Sequence, residues 1–141
     1  PLTGPAATAG RALAHTLAES AAPGVHCWTG ETTVDLGKHH GRGGRSQELA
    51  LSAALSLSRL GEAGERVTVL AAGTDGRDGP TDAAGAIVDA GTAARIAATG
   101  VDPDAALVRH DAYPALDAAG ALIRTGATGT NVADIVLALV R

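Results

Sequence analysis

The stretch that decides the fold is VTVLAAGTDGRDGPTDAAGAIVD, residues 67–89, in which an apolar run leads into a loop of glycines and aspartates. The run VTVLAA, residues 67–72, is typical of a central strand covered on both faces. Residues 86–88 predict another short strand. Because open α/β sheets bind ligands at the carboxyl ends of their strands, we expect the intervening loop to carry chemistry.

Helical and strand patterns alternate on both sides of this stretch. Helices are predicted over residues 5–20, 47–60 and 92–99, and one or two more over 103–120, broken near Pro114. Further strands are predicted over residues 25–29, 32–36 and 135–140. This alternation indicates the α/β class, as a single domain over residues 1–141 with helices packed on a mixed sheet.

The composition describes a globular domain of ordinary size. The 141 residues are 45% hydrophobic and 18% charged, and 11 basic against 15 acidic residues leave a net charge of −4. This charge disfavours nucleic acid and anionic membranes as partners. The single Cys27 excludes an internal disulfide, and no apolar run approaches the ~20 residues of a membrane span, so we expect a cytoplasmic protein. Because the chain begins at Pro1 rather than Met, we expect it to be a piece of something longer.

The segment GKHHGRGGR combines glycines with two arginines. Gly43 and Gly44 let the backbone approach an anion, and Arg42 and Arg45 offer guanidinium groups to a phosphate or carboxylate. We expect Ser46 to cap the helix that follows. The local sequence leaves a flexible hairpin loop with solvated arginines equally open.

The loop after the central strand holds three carboxylates, Asp75, Asp78 and Asp82, within eight residues. Together they can hold Mg²⁺, which prefers oxygen ligands. The segment lacks the alternating carboxylates and the closing glutamate of an EF-hand. Asp and Gly are also common turn formers, and Thr81 or Asp82 is suited to capping a helix, so a structural role stays open for each aspartate.

A third polar loop, TGATGTN, offers Thr130 and Asn131 to an anion, with Asp134 three residues further on. Its GATG resembles the start of a dinucleotide-binding fingerprint. The third glycine position is Val132, however, and the ten residues after Asn131 leave no room for a βαβ unit. We therefore expect an anion-binding loop or a tight turn.

Other reactive side chains lack a motif. Lys38, the only lysine, does not follow the glycines of a phosphate-binding P-loop. His39 and His40 need a third ligand from elsewhere to bind a metal. His110 and Asp111 precede a predicted helix break, where Asp111 is suited to capping.

Four segments in this order resemble the C-terminal (MOFRL) domain of the glycerate 2-kinase family, some of whose members are called hydroxypyruvate reductases. They are GETTV, GRGGRSQELALSAAL, LAAGTDGRDGPTDAAGAIVD and TGATGTNVADIVLAL. The resemblance covers residues 28–141. It implies transfer of the γ-phosphoryl group of ATP to the 2-hydroxyl of D-glycerate with Mg²⁺, in a cleft between this domain and an N-terminal Rossmann-like domain.

The resemblance also implies roles for ten residues. Arg45, Asp75 and Asp78 would be catalytic, with Asp75 and Asp78 as Mg²⁺ ligands. The others would bind the ATP cofactor: Glu31, Gly43, Gly44, Asp82, Thr130, Asn131 and Asp134.

The chain departs from the family pattern at three places. Trp28-Thr29-Gly30 stands where the family reads SGG, HDAY at residues 110–113 stands for NDSY, and Ala127 replaces a proline. Without the N-terminal domain we expect half an active site, inactive alone. The candidate partners are glycerate, ATP, an N-terminal kinase domain in cis or in trans, and a second copy of the chain. The alternatives are a non-catalytic anion-binding or dimerisation module and, less favoured, a hydroxypyruvate reductase.

Overall fold

The apolar run that begins at Val67 forms the middle strand of a five-stranded sheet in the computed structural model, which describes residues 1–141. The strands are β1 (Gly24–Gly30), β2 (Val67–Gly73), β3 (Gly85–Asp89), β4 (Leu122–Ile123) and β5 (Asp134–Val140). The helices are α1 (Ala6–Ser20), α2 (Arg45–Arg59), α3 (Glu62–Glu65), α4 (Thr92–Ala97), α5 (Pro103–Val108) and α6 (Ala112–Ala118). The predicted α/β class is confirmed.

Neighbouring strands are antiparallel throughout the sheet, whose order is β1-β5-β2-β3-β4. Strands β1 and β2 run in the same direction, but β5 lies between them and is antiparallel to both. Parallel pairing is limited to isolated bridges from Leu2 to Gly30 and from Pro5 to Thr33. The mixed character expected of the sheet is therefore confined to these bridges.

The core lies on one side of the sheet, where α2 packs between α1 and strands β2 and β3. Twelve of the 15 residues of α2 are buried. A Cβ atom on Gly10 of α1 would overlap the carbonyl oxygen of Leu49, so glycine is what lets the two helices come this close. The other face of the sheet is open, because Val25, Ile87 and Leu139 are exposed there. On this face of β2 itself, Thr68 and Leu70 are half-buried and Ala72 is buried, so the expected cover on both faces is only partly met within this chain.

Most predicted elements are present, with ends shifted by at most two residues. Residues 32–36 form no strand, because Thr33 makes only an isolated bridge. The helix break lies at residues 109–111 rather than near Pro114, which occupies the first turn of α6, where a missing N–H costs no helical hydrogen bond. Helix α3 and strand β4 were not predicted. No helix combines the length and apolarity needed to cross a bilayer.

Candidate functional site

Three loops meet at one end of the sheet because three strand ends lie side by side there. The last residues of β1 and β2, Gly30 and Gly73, both pair with Asp134, the first residue of β5. The loops that follow β1 and β2 and the loop that precedes β5 therefore leave the sheet at the same end. Together with the first turn of α2, they surround a cavity of about 420 Å³.

Most of the predicted site residues meet at this cavity. Its wall includes Gly43, Gly44, Arg45, Asp75, Asp78, Asn131 and Asp134. Glu31 contacts Arg45 from outside the wall. Asp82 and Thr130 lie elsewhere. The structure brings seven of the ten together, while the chemical role of each stays a prediction.

Arg45, the first residue of α2, is held between two carboxylates. Its Nε and Nη2 atoms donate to the two oxygens of Asp134, at 2.6 and 3.2 Å, and Nη1 donates to Glu31 at 2.6 Å. The hydrogen bond to Asp134, more than that to Glu31, raises the pKa of Arg45. Three of its five N–H donors are used, so two remain for an anionic ligand.

Asp78 caps helix α2 from the neighbouring loop. Its Oδ1 accepts from the N–H of Ser46 at 3.0 Å, and its Oδ2 accepts from the N–H of Gln47 at 2.8 Å. Ser46 is thus a capped residue inside the helix, and its prediction as the cap is wrong, because Gly44 holds the cap position and Asp78 supplies the oxygens. Burial raises the pKa of Asp78, and the hydrogen bonds from Gln47 and Ser46 oppose that rise.

The Mg²⁺ assignment fits Asp75 better than Asp78. Both oxygens of Asp78 already accept backbone hydrogen bonds, whereas Asp75 accepts one, from the N–H of Arg77 at 3.0 Å. No group of three or more His, Cys, Asp or Glu side chains is arranged to hold a metal ion. Mg²⁺ that is bound to nucleotide phosphates needs only one or two carboxylates. The part of both aspartates in metal binding and catalysis remains a prediction.

Two glycines allow the loops around the cavity to touch. A Cβ atom on Gly44 would overlap the carboxylate of Asp78, and one on Gly79 would overlap the carbonyl of Gly43. Gly79 also has a φ of +62°, which L-residues rarely adopt. Gly44 and Gly79 thus bring the loop after β1 against the loop that holds Asp78. The approach of Gly43 and Gly44 to an anion remains a prediction.

Sequence reasoning missed the pair formed by Glu48 and His110 in the cavity wall. Nδ1 of His110 lies 2.7 Å from Oε2 of Glu48, which is 5% exposed. Glu48 lies three residues after Arg45, so its place on the same side of α2 could have been inferred from helical spacing. His110 is 62 residues away along the chain, and no local pattern links the two.

Arg77 brings a second guanidinium to the cavity. Its side chain is exposed and makes neither a hydrogen bond nor a salt bridge within the protein, so all its donors are open to a ligand. It was missed because the sequence offers no way to tell a solvated arginine from one beside a cavity.

Asp82 and Thr130 lie away from the cavity wall. Asp82 accepts from the hydroxyl of Tyr113 at 2.6 Å and from Nε of Arg124 at 3.1 Å. Both hydrogen bonds lower the pKa of Asp82, and the one from Tyr113 has the larger effect. Arg124 also donates to Asp117 at 2.8 Å. Asp82 therefore joins the loop to α6. Thr130 is exposed, and its contacts lie within its own loop. The predicted part of both in cofactor binding remains a prediction.

The departures from the family pattern just before Glu31 lie outside the cavity wall. Trp28 and Thr29 lie within β1, and neither contributes to the cavity wall. Trp28 stacks on His26, with ring centroids 6.0 Å apart, and packs against the core. Gly30 is retained where a Cβ atom would overlap the backbone of Leu2.

Fold and cavity together define an α/β domain in which glycine-bearing loops gather guanidinium and carboxylate groups at one end of a sheet. Such a cavity suits a small phosphorylated or carboxylated ligand. The model of the MOFRL family matches residues 24–134, and the chain belongs to that family.

Individual relatives agree with this membership. D-glycerate 2-kinase from Thermotoga maritima is 51% identical over 118 residues, which are 84% of this chain and 27% of that protein. The crystal structure of glycerate kinase from the same organism matches with a TM-score of 0.90 at 46% identity, over 99% of this chain and 34% of that one. A relative from Agrobacterium vitis, provisionally named a hydroxypyruvate reductase, is 47% identical over 116 residues, 82% of this chain and 26% of that protein. The chain thus spans about a quarter of the length of these curated relatives, and the resemblance to the glycerate 2-kinase family is confirmed.

Proposed function

We propose that this chain is the C-terminal domain of an ATP-dependent glycerate 2-kinase and forms one wall of its active site. The observation that carries the proposal is the meeting of Arg45, Asp75 and Asn131 at one cavity in a chain of this family. Phosphoryl transfer depends mainly on positioning the reactants and neutralising their charge. The cavity offers groups for both tasks.

Arg45 binds the carboxylate of glycerate or a phosphate group of ATP. Glu31 and Asp134 fix its guanidinium, so that little conformational entropy is lost when a ligand binds. Arg77 adds a second positive charge from the loop after β2. Asn131 accepts from the N–H of Ala133 with its Oδ1 at 3.3 Å, which leaves its amide N–H groups to orient an anion.

Mg²⁺ would be held by the phosphates of ATP and by Asp75. When bound, it neutralises charge between the phosphates. Asp78 supports this arrangement indirectly, because it ties the loop of Asp75 to the first turn of α2.

The opposite wall of the active site comes from a domain that precedes this one. Leu2 pairs with Gly30 at the end of the sheet that carries the cavity. A domain joined in front of Pro1 would therefore meet this one beside Arg45 and Glu31. The curated relatives, which are about four times as long as the matched segment, have room for such a domain.

The loop before β5 argues against the reductase alternative. A dinucleotide-binding fingerprint places its glycines at the N-terminus of a helix, where the pyrophosphate binds. Here Gly126 and Gly129 lead into β5, a strand that is antiparallel to both neighbours. Oxidation of NADPH or NADH by hydroxypyruvate in the presence of the protein would support the reductase instead.

A chimera tests the kinase proposal. The segment of T. maritima D-glycerate 2-kinase that matches this chain is replaced by the chain itself, and phosphoglycerate formation from D-glycerate and ATP is measured. We expect turnover well above that of the same enzyme truncated before the segment, and loss of that turnover on Arg45→Ala. A folded chimera without turnover would contradict the proposal.

Calorimetry on the isolated chain separates the kinase from a non-catalytic anion-binding module. Mg-ATP, D-glycerate and 2-phosphoglycerate are titrated one at a time. Binding together with an inactive chimera would favour the module, whereas binding together with an active chimera favours the kinase domain.

A further inference from the structure

The pair of Glu48 and His110 has no part in the function proposed so far. Both residues belong to the cavity wall, and the contact with His110 is the only hydrogen bond of the Glu48 side chain. A buried carboxylate is costly unless it is paired, so the two side chains stabilise each other's position. They come from separate elements, Glu48 from α2 and His110 from the turn between α5 and α6.

The contact decides which nitrogen of His110 exchanges its proton. An ionised carboxylate accepts hydrogen bonds and donates none. Opposite an ionised Glu48, Nδ1 of His110 is the donor and carries a hydrogen in both the neutral and the charged ring. The nitrogen without a hydrogen in the neutral ring is Nε2, which makes no hydrogen bond to the protein. A base oriented by a carboxylate, with its free nitrogen beside a ligand cavity, is the arrangement that general-base catalysis requires.

The backbone of His110 is held in an uncommon conformation. Its φ is +53°, in the left-handed region that side chains other than glycine seldom adopt. The turn is fixed on both sides, because the N–H of His110 donates to Leu107 and that of Asp111 donates to Ala106. These two hydrogen bonds form the C-terminal cap of α5, so the left-handed φ belongs to the end of this helix and fixes the place of the imidazole beside the cavity.

We propose that His110, which stands where the family pattern has an asparagine, is a catalytic residue of the phosphoryl transfer in this chain and that Glu48 is its positioning residue, a proposal that rests on the kinase function above. As the 2-hydroxyl oxygen of the substrate forms its bond to the γ-phosphorus, Nε2 of His110 takes the hydroxyl proton. The bond from the γ-phosphorus to its bridging oxygen breaks, and the electron pair remains on ADP. No further reactant is needed.

Other charged groups lie around the same cavity and enter any pH dependence. Those in the wall come from α2, from the loops after β1 and β2 and from β5: Arg45, His40, Asp75, Arg77, Asp78 and Asp134. Arg109 and Asp111, in the turn of His110 itself, line a second cavity that shares His40 and Gly41 with the first. His40 is the other imidazole of the wall, and its Nδ1 lies 2.9 Å from the carbonyl of Gly41, with no carboxylate partner. A His40→Ala variant therefore separates a general effect of an imidazole in the wall from the effect of the oriented pair.

The first test uses the isolated 141-residue chain and needs no activity. Nitrogen-15 NMR of the imidazole rings reports the tautomer of each histidine. We expect neutral His110 to carry its hydrogen on Nδ1, and we expect this preference to be lost in Glu48→Ala. A hydrogen on Nε2 of His110 in the unchanged chain would overturn the pairing and the proposal with it.

The second test measures the active chimera over a range of pH. We expect His110→Ala to lower kcat by roughly 10²-fold with little change in KM, as for the loss of a general base. The fall of kcat/KM at low pH should flatten in this variant, and added imidazole should restore part of kcat, which a merely structural role would not produce. Glu48→Ala should lower kcat less than His110→Ala.

The controls are His40→Ala and His39→Ala, both of which keep the pair intact. His39 is exposed and lies outside the cavity wall, so its removal should leave kcat unchanged. An unaltered kcat and pH profile in His110→Ala would overturn the catalytic role. If the chimera without any point substitution is inactive, the kinase function is contradicted. The tautomer measurement on the isolated chain would then still show whether Glu48 orients His110.

Discussion

Arg45 combines a full charge with a fixed geometry that lysine cannot reproduce. Its planar guanidinium reaches Asp134 through two nitrogens and Glu31 through the third. A lysine keeps the charge but loses the paired hydrogen bonds. We therefore expect Arg45→Lys to weaken binding of 2-phosphoglycerate to the chain by roughly 10- to 100-fold, the value of one charge-assisted hydrogen bond, as measured by calorimetry.

Arg59 supplies the matched control for this substitution. It also contacts one carboxylate at two points, since its Nη2 lies 2.6 and 2.8 Å from the oxygens of Asp104, but it is far from the cavity wall. Arg59→Lys should leave the affinity as it is. Equal losses in the two variants would mean that Arg45 acts through stability rather than through ligand contact.

Asp78 gives the free energy of unfolding an uncommon pH dependence. Burial raises the pKa of Asp78 above its ordinary value of 3.8, so the folded chain binds its proton more tightly than the unfolded chain. This contribution to stability is complete below pH 3.8 and is lost as the pH rises through the folded pKa. Urea unfolding at several pH values should therefore show wild type losing stability relative to Asp78→Asn as the pH rises. A relative gain by wild type would mean that the caps to Ser46 and Gln47 outweigh burial.

Among the secondary-structure elements, α2 shows where local sequence suffices and where it does not. Its apolar spacing locates the helix to within two residues, because periodicity is a local property. The cap of α2 could not be found from local spacing, because Asp78, which accepts a hydrogen bond from the N–H of Ser46, lies 32 residues away along the chain. Ser46 matches the residue preference for caps, but the oxygens come from another loop. The predicted strand at residues 32–36 fails for a similar reason: its β-branched residues find no partner strand beyond Thr33.

The contact between the loop after β1 and the loop after β2 depends on Gly79. Its φ of +62° and the nearby carbonyl of Gly43 both exclude a side chain. We expect Gly79→Ala to lower the free energy of unfolding by about 1–3 kcal/mol, measured by urea titration. Gly37→Ala is the control, because no atom lies within 4 Å of its added Cβ and its φ is not positive. Similar losses in both variants would show that chain entropy rather than loop contact is responsible.

For the molecule as a whole, the sequence gives the members of the site but not the way they pair. The loops after β1 and β2 could be expected at one end of a sheet because each follows a predicted strand. The loop before β5 joins them only because β5 is antiparallel to both strands, which the sequence does not indicate. The partners within the site lie far apart along the chain, 89 residues for Arg45 and Asp134 and 62 for Glu48 and His110. Such pairs follow from strand order, and β5 takes a place between β1 and β2 that its position at the end of the chain does not indicate.

The layering of the whole domain can be tested at two adjacent residues of β5. Leu139 is 45% exposed on the open face of the sheet, and Ala138 is 1% exposed on the face that packs against the helices. Leu139→Lys should lower the free energy of unfolding by about 1 kcal/mol or less, because little apolar area is lost. Ala138→Lys places an unpaired charge in the core and should cost more than about 4 kcal/mol. Thermal and urea unfolding of the two variants measure the difference.

A large loss of stability in Leu139→Lys would mean that the open face is covered in solution. A second copy of the chain is the first candidate for this cover, and sedimentation of the unchanged chain would then detect the dimer.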